Sequence, residues 1–338
     1  MTGSTILTRS LLHSLVITAA WLCLAVIGLG AYVRLSDAGL GCPDWPGCYG
    51  QLTPHHAATD IAAAQMLQPE GPVTLVKAWK EMLHRYLAGF LGLLILAIAL
   101  LAGWRERGRS RFLALSLLVL VVMQGALGMW TVTLTLQPVV VSAHLLGGMV
   151  TLALLVWLAT HLVRPCRSVE RIPYRNRIRV TRLAGFTLGM LLLQIALGGW
   201  VSSHQAALAC SDFPTCGGAW WPSADWGQAF YLTTAVMPEG APDMATDAAA
   251  RVAMHWAHRL GALVVALLVL ALAWRLIFRP GYAAASRFLV FVMLAQVSLG
   301  IFNILASLPL AVAVAHNLGA ALLLAGLVRV NVRLWSRP

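Results

Sequence analysis

Eight apolar runs are the feature of this sequence that most limits what it can fold into. A helix needs roughly 20 apolar residues to cross the hydrocarbon core of a bilayer, and each run is about that long. Of the 338 residues, 59% are hydrophobic and only 11% are charged, a balance far from that of soluble domains. The sequence therefore predicts an all-α, polytopic membrane protein with eight transmembrane helices. The predicted spans are 15–33, 82–103, 112–132, 139–161, 183–203, 252–276, 288–307 and 310–328.

The arginines predict how the chain crosses the membrane. They lie in the links after the second, fourth and sixth runs and near both ends, whereas the long loops after the first and fifth runs are acid-rich. Cytoplasmic loops carry an excess of Lys and Arg, so we expect both termini to be cytoplasmic and the protein to lie in the inner (plasma) membrane. This pattern also explains the net charge of +12. No basic run is interleaved with aromatic residues, so the lipid bilayer, and not a nucleic acid, is the expected partner.

The two halves of the chain repeat one another. Residues 30–33 match 198–201, and 42–48 match 210–216. Each half has an even number of runs, so both halves enter from the same side. We predict two tandem four-helix bundles related by a pseudo-two-fold axis along the membrane normal. The predicted parts are an N-terminal half 1–163, a cytoplasmic basic linker 164–182 and a C-terminal half 183–338. A further repeated phrase, a glutamine four residues before a glycine, begins at Gln124, Gln194 and Gln296.

Four histidines stand near the predicted outer ends of the even-numbered runs: His84, His144, His258 and His316. A histidine inside a membrane helix is costly unless it has a partner, and facing helices of a bundle build cofactor sites. Haem iron accepts two axial imidazoles, whereas zinc needs three or four clustered ligands. For any one of the four, a hydrogen-bonded packing histidine is the alternative interpretation. Because they form two matched pairs, one in each half, we predict that they ligate iron.

Residues near these histidines fit a flat macrocycle. Gly147, Gly261 and Gly319 each lie one turn after a histidine and would leave room for the ring; alternatively, they only allow helices to pack closely. Arg85 and Arg259 directly follow two of the histidines. We expect these two arginines to meet haem propionates near the outer surface.

Two cysteine pairs lie in the long acid-rich loops, Cys42 with Cys48 and Cys210 with Cys216. We expect both loops to be outside, where oxidising conditions favour disulfides. Two interpretations stay open for each pair. One is a structural staple that orders the loop. The other is a redox-active pair that passes electrons or is reduced by a thioredoxin-like partner.

As a set, these residues resemble the haem A synthases of bacteria and mitochondria. The likeness covers nearly the whole chain and includes the eight spans, the duplicated unit, the four histidines and both cysteine pairs. The resemblance implies oxidation of the C8 methyl group of haem O to a formyl group, with water as the oxygen source, giving haem A for cytochrome oxidase. It also implies that the N-terminal half takes haem O at His84 and His144. In the C-terminal half, His258 and His316 would hold haem b as an electron carrier.

The halves differ at one position that matters for this assignment. Glu81 stands three residues before His84, whereas His255 stands three before His258. The resemblance implies a catalytic role for Glu81, because a carboxylate one turn from a haem edge can accept a proton or stabilise cationic charge. The alternative is an interface carboxylate paired with Lys77, Lys80 or Arg85. We expect His255 to pack against its neighbours or to support a ligating residue, and not to ligate iron itself.

Two other classes of protein are alternatives to the enzyme. A bis-histidine dihaem b-type membrane electron carrier would place haems near both membrane faces, whereas every candidate ligand here lies toward the outer side. A transporter would show polar, broken helices near the midplane, of which these runs show little. A haem O synthase, a quinone electron acceptor and a thioredoxin-like reductant are the expected partners of the enzyme.

Overall fold

The computed structural model describes residues 3–163, 174–231 and 247–335. Within these ranges the chain forms helices joined by loops, with two isolated β-bridges. The helices are α1 Gly3–Leu35, α2 Ala58–Leu67, α3 Leu75–Arg105, α4 Arg109–Thr133, α5 Pro138–Leu162, α6 Tyr174–Ser203, α7 Trp226–Ala229, α8 Ala248–Leu276, α9 Ala283–Leu305 and α10 Leu310–Trp335. The predicted linker 164–182 lies partly outside the described residues.

Eight of these helices are long and apolar enough to cross a membrane, which confirms the predicted number of spans and the all-α class. They are every helix above except the short α2 and α7. Many large apolar side chains on the spans are exposed on the chain itself, among them Leu93 at 65% and Phe291 at 72%. In a bilayer such side chains would meet lipid tails, which are as apolar as a protein core.

Helix α3 begins about two turns before the apolar run predicted for this span. The Thr74 hydroxyl caps it by accepting a hydrogen bond from the Lys77 amide at 3.2 Å, and the helix starts at Leu75 rather than at Met82. Hydropathy marks the apolar part of the helix and not the polar turns that precede it. The start of the helix is set instead by the Thr74 cap, which satisfies an otherwise unpaired amide. Glu81 and His84 therefore lie inside regular helix, with fixed positions relative to one another.

The described chain forms two compact units. One contains the residues up to Leu136 together with the stretches that begin at Gly147 and Leu324; in it, α3 packs against α1 and α4. The other contains Gln137–Leu146 and the stretch that ends at Leu323; in it, α8 packs against α6 and α9. In each unit a histidine-bearing helix thus packs against two neighbours. The division at 163 and 183 and the pseudo-two-fold axis stay predictions.

Two loops, one in each unit, have the same construction. The first cysteine loop, Cys42–Gln51, is closed by a disulfide between Cys42 and Cys48, and the second, Cys210–Ala219, by one between Cys210 and Cys216. Both predicted pairings are therefore present. Each loop ends in a β-bridge, Cys48 with Gln51 and Cys216 with Ala219.

The turn within each bridge explains the residues found there. Tyr49 and Gly50 in the first loop and Gly217 and Gly218 in the second have φ values of 51°, 71°, 60° and 76°. Two successive residues with positive φ are typical of a type I′ turn, which favours glycine. An aspartate holds each turn: Asp44 accepts hydrogen bonds from the Tyr49 and Gly50 amides, and Asp212 accepts them from those of Gly217 and Gly218.

We predict that peptide mapping without reductant finds Cys42 joined to Cys48 and Cys210 joined to Cys216. Cys23 is a free, buried cysteine in α1 and serves as the control, because it should take up an alkylating reagent only after denaturation. Free thiols at the four loop cysteines in protein kept oxidised would contradict the structure.

Candidate functional site

The ring of His84 occupies a space that a glycine leaves open. His84 lies on α3 and Gly30 on α1, and a Cβ atom added to Gly30 would stand 2.9 Å from the His84 Cε1. Real Cβ atoms almost never approach another heavy atom so closely, so a larger residue at position 30 would displace the imidazole. The contact between α1 and α3 thus depends on Gly30 to seat His84.

The same arrangement occurs twice in the other unit. A Cβ at Gly198 of α6 would lie 3.0 Å from the Cε1 of His258 on α8, and a Cβ at Gly300 of α9 would lie 3.1 Å from the Cε1 of His316 on α10. Three of the four predicted ligands therefore rest against a glycine of a neighbouring helix. In the sequence these three glycines are marked only as members of repeated stretches.

His258 lies on α8 and His316 on α10, so both residues of the predicted C-terminal pair belong to the second unit. His144 lies on α5, in the stretch Gln137–Leu146 that belongs to the second unit. The pairing of His84 with His144 stays a prediction.

Gln194 is a site residue that sequence reasoning missed. Its Nε2 lies 2.9 Å from the Nδ1 of His258 and donates to the His258 carbonyl at 2.8 Å. The only signal in the sequence was the repeated phrase that begins at Gln194. A phrase of this kind shows that a residue recurs, but it does not show what the side chain contacts.

Glu81 is buried, with 4% of its surface exposed, and both of its oxygens are engaged. Oε2 accepts a hydrogen bond from the Cys42 amide at 2.9 Å, and Oε1 accepts one from the Arg85 guanidinium. Of the three basic residues considered as partners, Arg85 is the one that pairs with it. Glu81 therefore joins helix α3, which carries His84, to the first cysteine loop.

His255 makes the equivalent connection in the second unit. It is also 4% exposed; its Nδ1 lies 3.2 Å from the Cys210 amide and its Nε2 lies 3.3 Å from the Arg259 Nε. A neutral imidazole has one acceptor nitrogen, so it satisfies only one of these two donors, whereas a carboxylate satisfies both. The matched positions thus share a structural task, but only Glu81 brings a negative charge beside its arginine.

The two arginines anchor the cysteine loops. Arg85 donates to the carbonyls of Asp44 and Gly47 at 2.8 and 2.5 Å, and also to those of Cys42 and Pro46. Arg259 donates to the carbonyls of Cys210 and Thr215, both at 2.8 Å. A guanidinium has five N–H donors in a rigid fork, which suits this binding of several carbonyls. The contact of these arginines with propionates stays a prediction.

The described residues fit bis-histidine haem ligation on three observations. Imidazoles are haem ligands, and His258 and His316, on α8 and α10, lie in the same unit. Each of these two rings is seated against a glycine. The Oε1 atoms of Gln194 and Gln296 are buried without a hydrogen-bond partner among the described residues. Within the same residues, no group of three or more His, Cys, Asp or Glu side chains could hold a metal ion.

These features first define a class: a multi-pass helical membrane protein whose candidate iron ligands are histidines of the spans, lying below disulfide-closed loops. The chain belongs to the COX15-CtaA family of cytochrome oxidase assembly proteins, whose model matches residues 13–328.

Individual relatives agree with this family assignment. The chain is 46% identical over 316 residues to a protein of Shewanella oneidensis named Heme A synthase, which covers 93% of this chain and 94% of the relative. It is 33% identical over 343 residues to a protein of that name from Methylobacterium nodulans, covering 93% and 89%. It is 31% identical over 330 residues to another from Mesorhizobium japonicum, covering 91% and 86%.

The second cysteine loop generates a pH prediction. The Thr215 hydroxyl, together with the Gly218 and Gly217 amides, lowers the pKa of the Asp212 carboxyl to about 2. A lowered pKa means that the carboxylate stabilises the folded loop above its ordinary pKa of 3.8 and that this stabilisation is lost as the pH falls through about 2. We therefore expect the loop amides of wild-type protein to stay protected from hydrogen exchange at pH 4.

Asp212→Asn should accelerate exchange of the Gly217 and Gly218 amides at neutral pH, measured by mass spectrometry of the loop peptide. Asp225→Asn is the control, since Asp225 caps α7 through the Gln228 amide and should leave the loop peptide unchanged. Equal exchange in Asp212→Asn and wild type would contradict the role of this carboxylate.

Proposed function

We propose that this chain is a haem A synthase that oxidises the C8 methyl group of haem O to a formyl group, with water supplying the oxygen. The observation that carries this proposal is the similarity to proteins named Heme A synthase along almost the entire length of both chains. The histidines, Glu81 and the cysteine loops all lie inside the matched region.

The stoichiometry of the reaction fixes how many electrons and protons the site must remove. Conversion of a methyl group and one water to a formyl group releases four electrons and four protons, in two successive two-electron oxidations. The protein therefore needs a route for electrons away from the substrate and a group that accepts protons near the methyl carbon. A quinone is the class of electron acceptor that we propose, a thioredoxin-like protein is the proposed reductant of the cysteine pairs, and a haem O synthase is the proposed source of substrate.

We assign the electron route to the second unit. His258 and His316 would hold haem b there, and Gly198 and Gly300 seat the two rings. When bound by two imidazoles, haem b supplies a one-electron carrier with no open coordination position. The glycine contacts keep both imidazoles in fixed positions, which favours permanent ligation over exchange.

We assign haem O to His84 and His144 and the proton acceptor to Glu81. Glu81 lies one helical turn from His84 on the same face of α3, which sets the carboxylate near the edge of a ligand held by that histidine. A proton arriving at Oε1 would replace the bond from Arg85, and Arg85 would keep its four carbonyl partners. Glu81 is thus able to change protonation without releasing the first cysteine loop.

The difference between Glu81 and His255 supports unlike sites. Beside His84, the Arg85 charge is balanced by a carboxylate; beside His258, the Arg259 charge faces an imidazole. A dihaem electron carrier needs no such difference, and the relatives do not favour it. The enzyme, with one substrate site and one carrier site, accounts for the difference directly.

The protein is a multi-pass membrane protein, and we propose that both termini are cytoplasmic with the haem sites toward the outer side. The distribution of arginines supports this orientation. So do the two disulfides, because disulfides persist in oxidising compartments and each lies in a loop beside a histidine-bearing helix.

His258→Ala or His316→Ala should each abolish bound haem b, because one imidazole cannot supply both axial ligands. The measurement is the optical spectrum and haem content of purified protein, with His161→Ala as the matched control on a span. A variant at either position that keeps the full low-spin spectrum would overturn the assignment of the second unit.

Glu81→Ala should stop oxidation of haem O while leaving haem b in place, as measured by chromatography of haems extracted from cells that also make haem O. Glu81→His separates chemistry from structure, since His255 occupies the matched position and accepts from the matching cysteine amide. We expect Glu81→His to keep the disulfide loop intact and yet make at least tenfold less haem A. Wild-type product from either variant would remove Glu81 from the reaction.

A further inference from the structure

Three glutamines of neighbouring helices lie against three glycines that follow a histidine. A Cβ added at Gly147, Gly261 or Gly319 would stand 1.8 Å from Gln124 Nε2, 2.2 Å from Gln194 Oε1 and 2.2 Å from Gln296 Oε1, respectively. Each of these glycines lies three residues after a histidine. The glycines are therefore required to make room for the amides.

The contact with a histidine is resolved most clearly at Gln194. Its Nε2 lies 2.9 Å from the Nδ1 of His258 and 2.8 Å from the carbonyl of the same residue. The Gln194 Oε1 is buried, with no hydrogen-bond partner among the described residues. A buried carbonyl oxygen without a hydrogen-bond partner is destabilising, and here it leaves one acceptor of the Gln194 amide unused.

Iron ligation determines whether the Nδ1 of His258 needs the oxygen or the nitrogen of the Gln194 side-chain amide. When a histidine binds iron through Nε2, its proton sits on Nδ1, and Nδ1 becomes a donor that needs an acceptor. The Nε2 of Gln194 facing Nδ1 matches the opposite tautomer, in which Nε2 of the histidine carries the proton. A half-turn of the planar amide exchanges its oxygen and nitrogen and presents Oε1 to the Nδ1 proton; it gains this bond in exchange for the one that Nε2 donates to the His258 carbonyl.

We propose that Gln194 is a positioning residue that fixes the tautomer and the ring plane of His258 by accepting a hydrogen bond from Nδ1 in the iron-ligating state. This inference rests on the proposed haem b site. Gln296 has the same relation to the glycine after His316 and also has a buried, unpartnered Oε1. It performs the same task for the second ligand of that site.

His84 shows that the contact between a glutamine and the glycine after a histidine is not a general rule of packing around these histidines. Gly30 seats His84 as Gly198 seats His258, but the residue four before Gly30 is Val26 and the residue three after His84 is Leu87. The glutamine and its glycine are thus replaced together. Val26 also shows that an apolar side chain is compatible with a helix at this position.

The test compares Gln194→Val and Gln194→Glu with wild type in full-length, haem-loaded protein. The measurements are the midpoint potential of haem b and its low-spin electron paramagnetic resonance signal. A stronger acceptor at Nδ1 makes the imidazole more electron-rich and favours ferric iron. We expect Gln194→Glu to lower the midpoint potential, and Gln194→Val to raise it and to broaden the resonance signal.

Gln124→Val is the matched control, since it makes the same change at the corresponding position of α4 and should leave the haem b potential unchanged. Shifts of the same direction in both Gln194 variants would indicate packing alone and overturn the inference, as would wild-type values in both. If Gln194→Val does not accumulate, the near-isosteric Gln194→Glu gives the test by itself. Haem retained in His258→Ala would instead overturn the proposed function, so the two failures are distinguishable.

Discussion

The structure depends on how an imidazole is accommodated inside an apolar helix. A polar ring in a membrane span is costly unless its nitrogens are satisfied and its shape is accepted by the neighbouring helix. Here a glycine of the adjacent span provides the space at His84, His258 and His316, and at His258 a glutamine amide adds a hydrogen-bond partner. The close approach of helices that the glycines permit is the same feature that stabilises packing in lipid, where burial of apolar surface gives no net gain.

A second set of interactions ties these helices to the cysteine loops. Arg85 and Arg259 each hold loop carbonyls, and Glu81 and His255 each hold the amide of the first cysteine. The two cysteine loops are therefore anchored in the same way. The residue one turn before the histidine, however, is a carboxylate in one unit and an imidazole in the other. Such divergence within a retained scaffold is how two copies of one unit could hold a substrate and a carrier. The disulfides close loops that the arginines also bind.

Much of the fold was predictable because lipid leaves few solutions for an apolar run of this length. The eight spans, both disulfides and the loop repeat follow from composition and spacing. The start of α3 at Leu75 was not predicted, because capping by Thr74 extends the helix into polar residues that carry no hydropathy signal. The backbone carbonyls that accept hydrogen bonds from Arg85 were not predicted, because no sequence pattern marks a carbonyl as an acceptor; its contact with a propionate stays a prediction. The repeated phrase marks Gln194 but indicates no role for it, since its contact lies 64 residues away on another helix.

The sequence by itself determined that the chain crosses a membrane eight times, that its histidines, arginines and cysteines recur in two sets, and that Glu81 and His255 break the match. Each of these is a property of residue type and spacing, which hydrophobicity and helical periodicity translate directly into structure. Only the tertiary structure decided which side chains meet: the glycines that seat the rings, the amide at His258, and the carbonyls that take up both arginines. Those contacts depend on angstrom-scale approach between helices distant in sequence, and packing alone sets that distance.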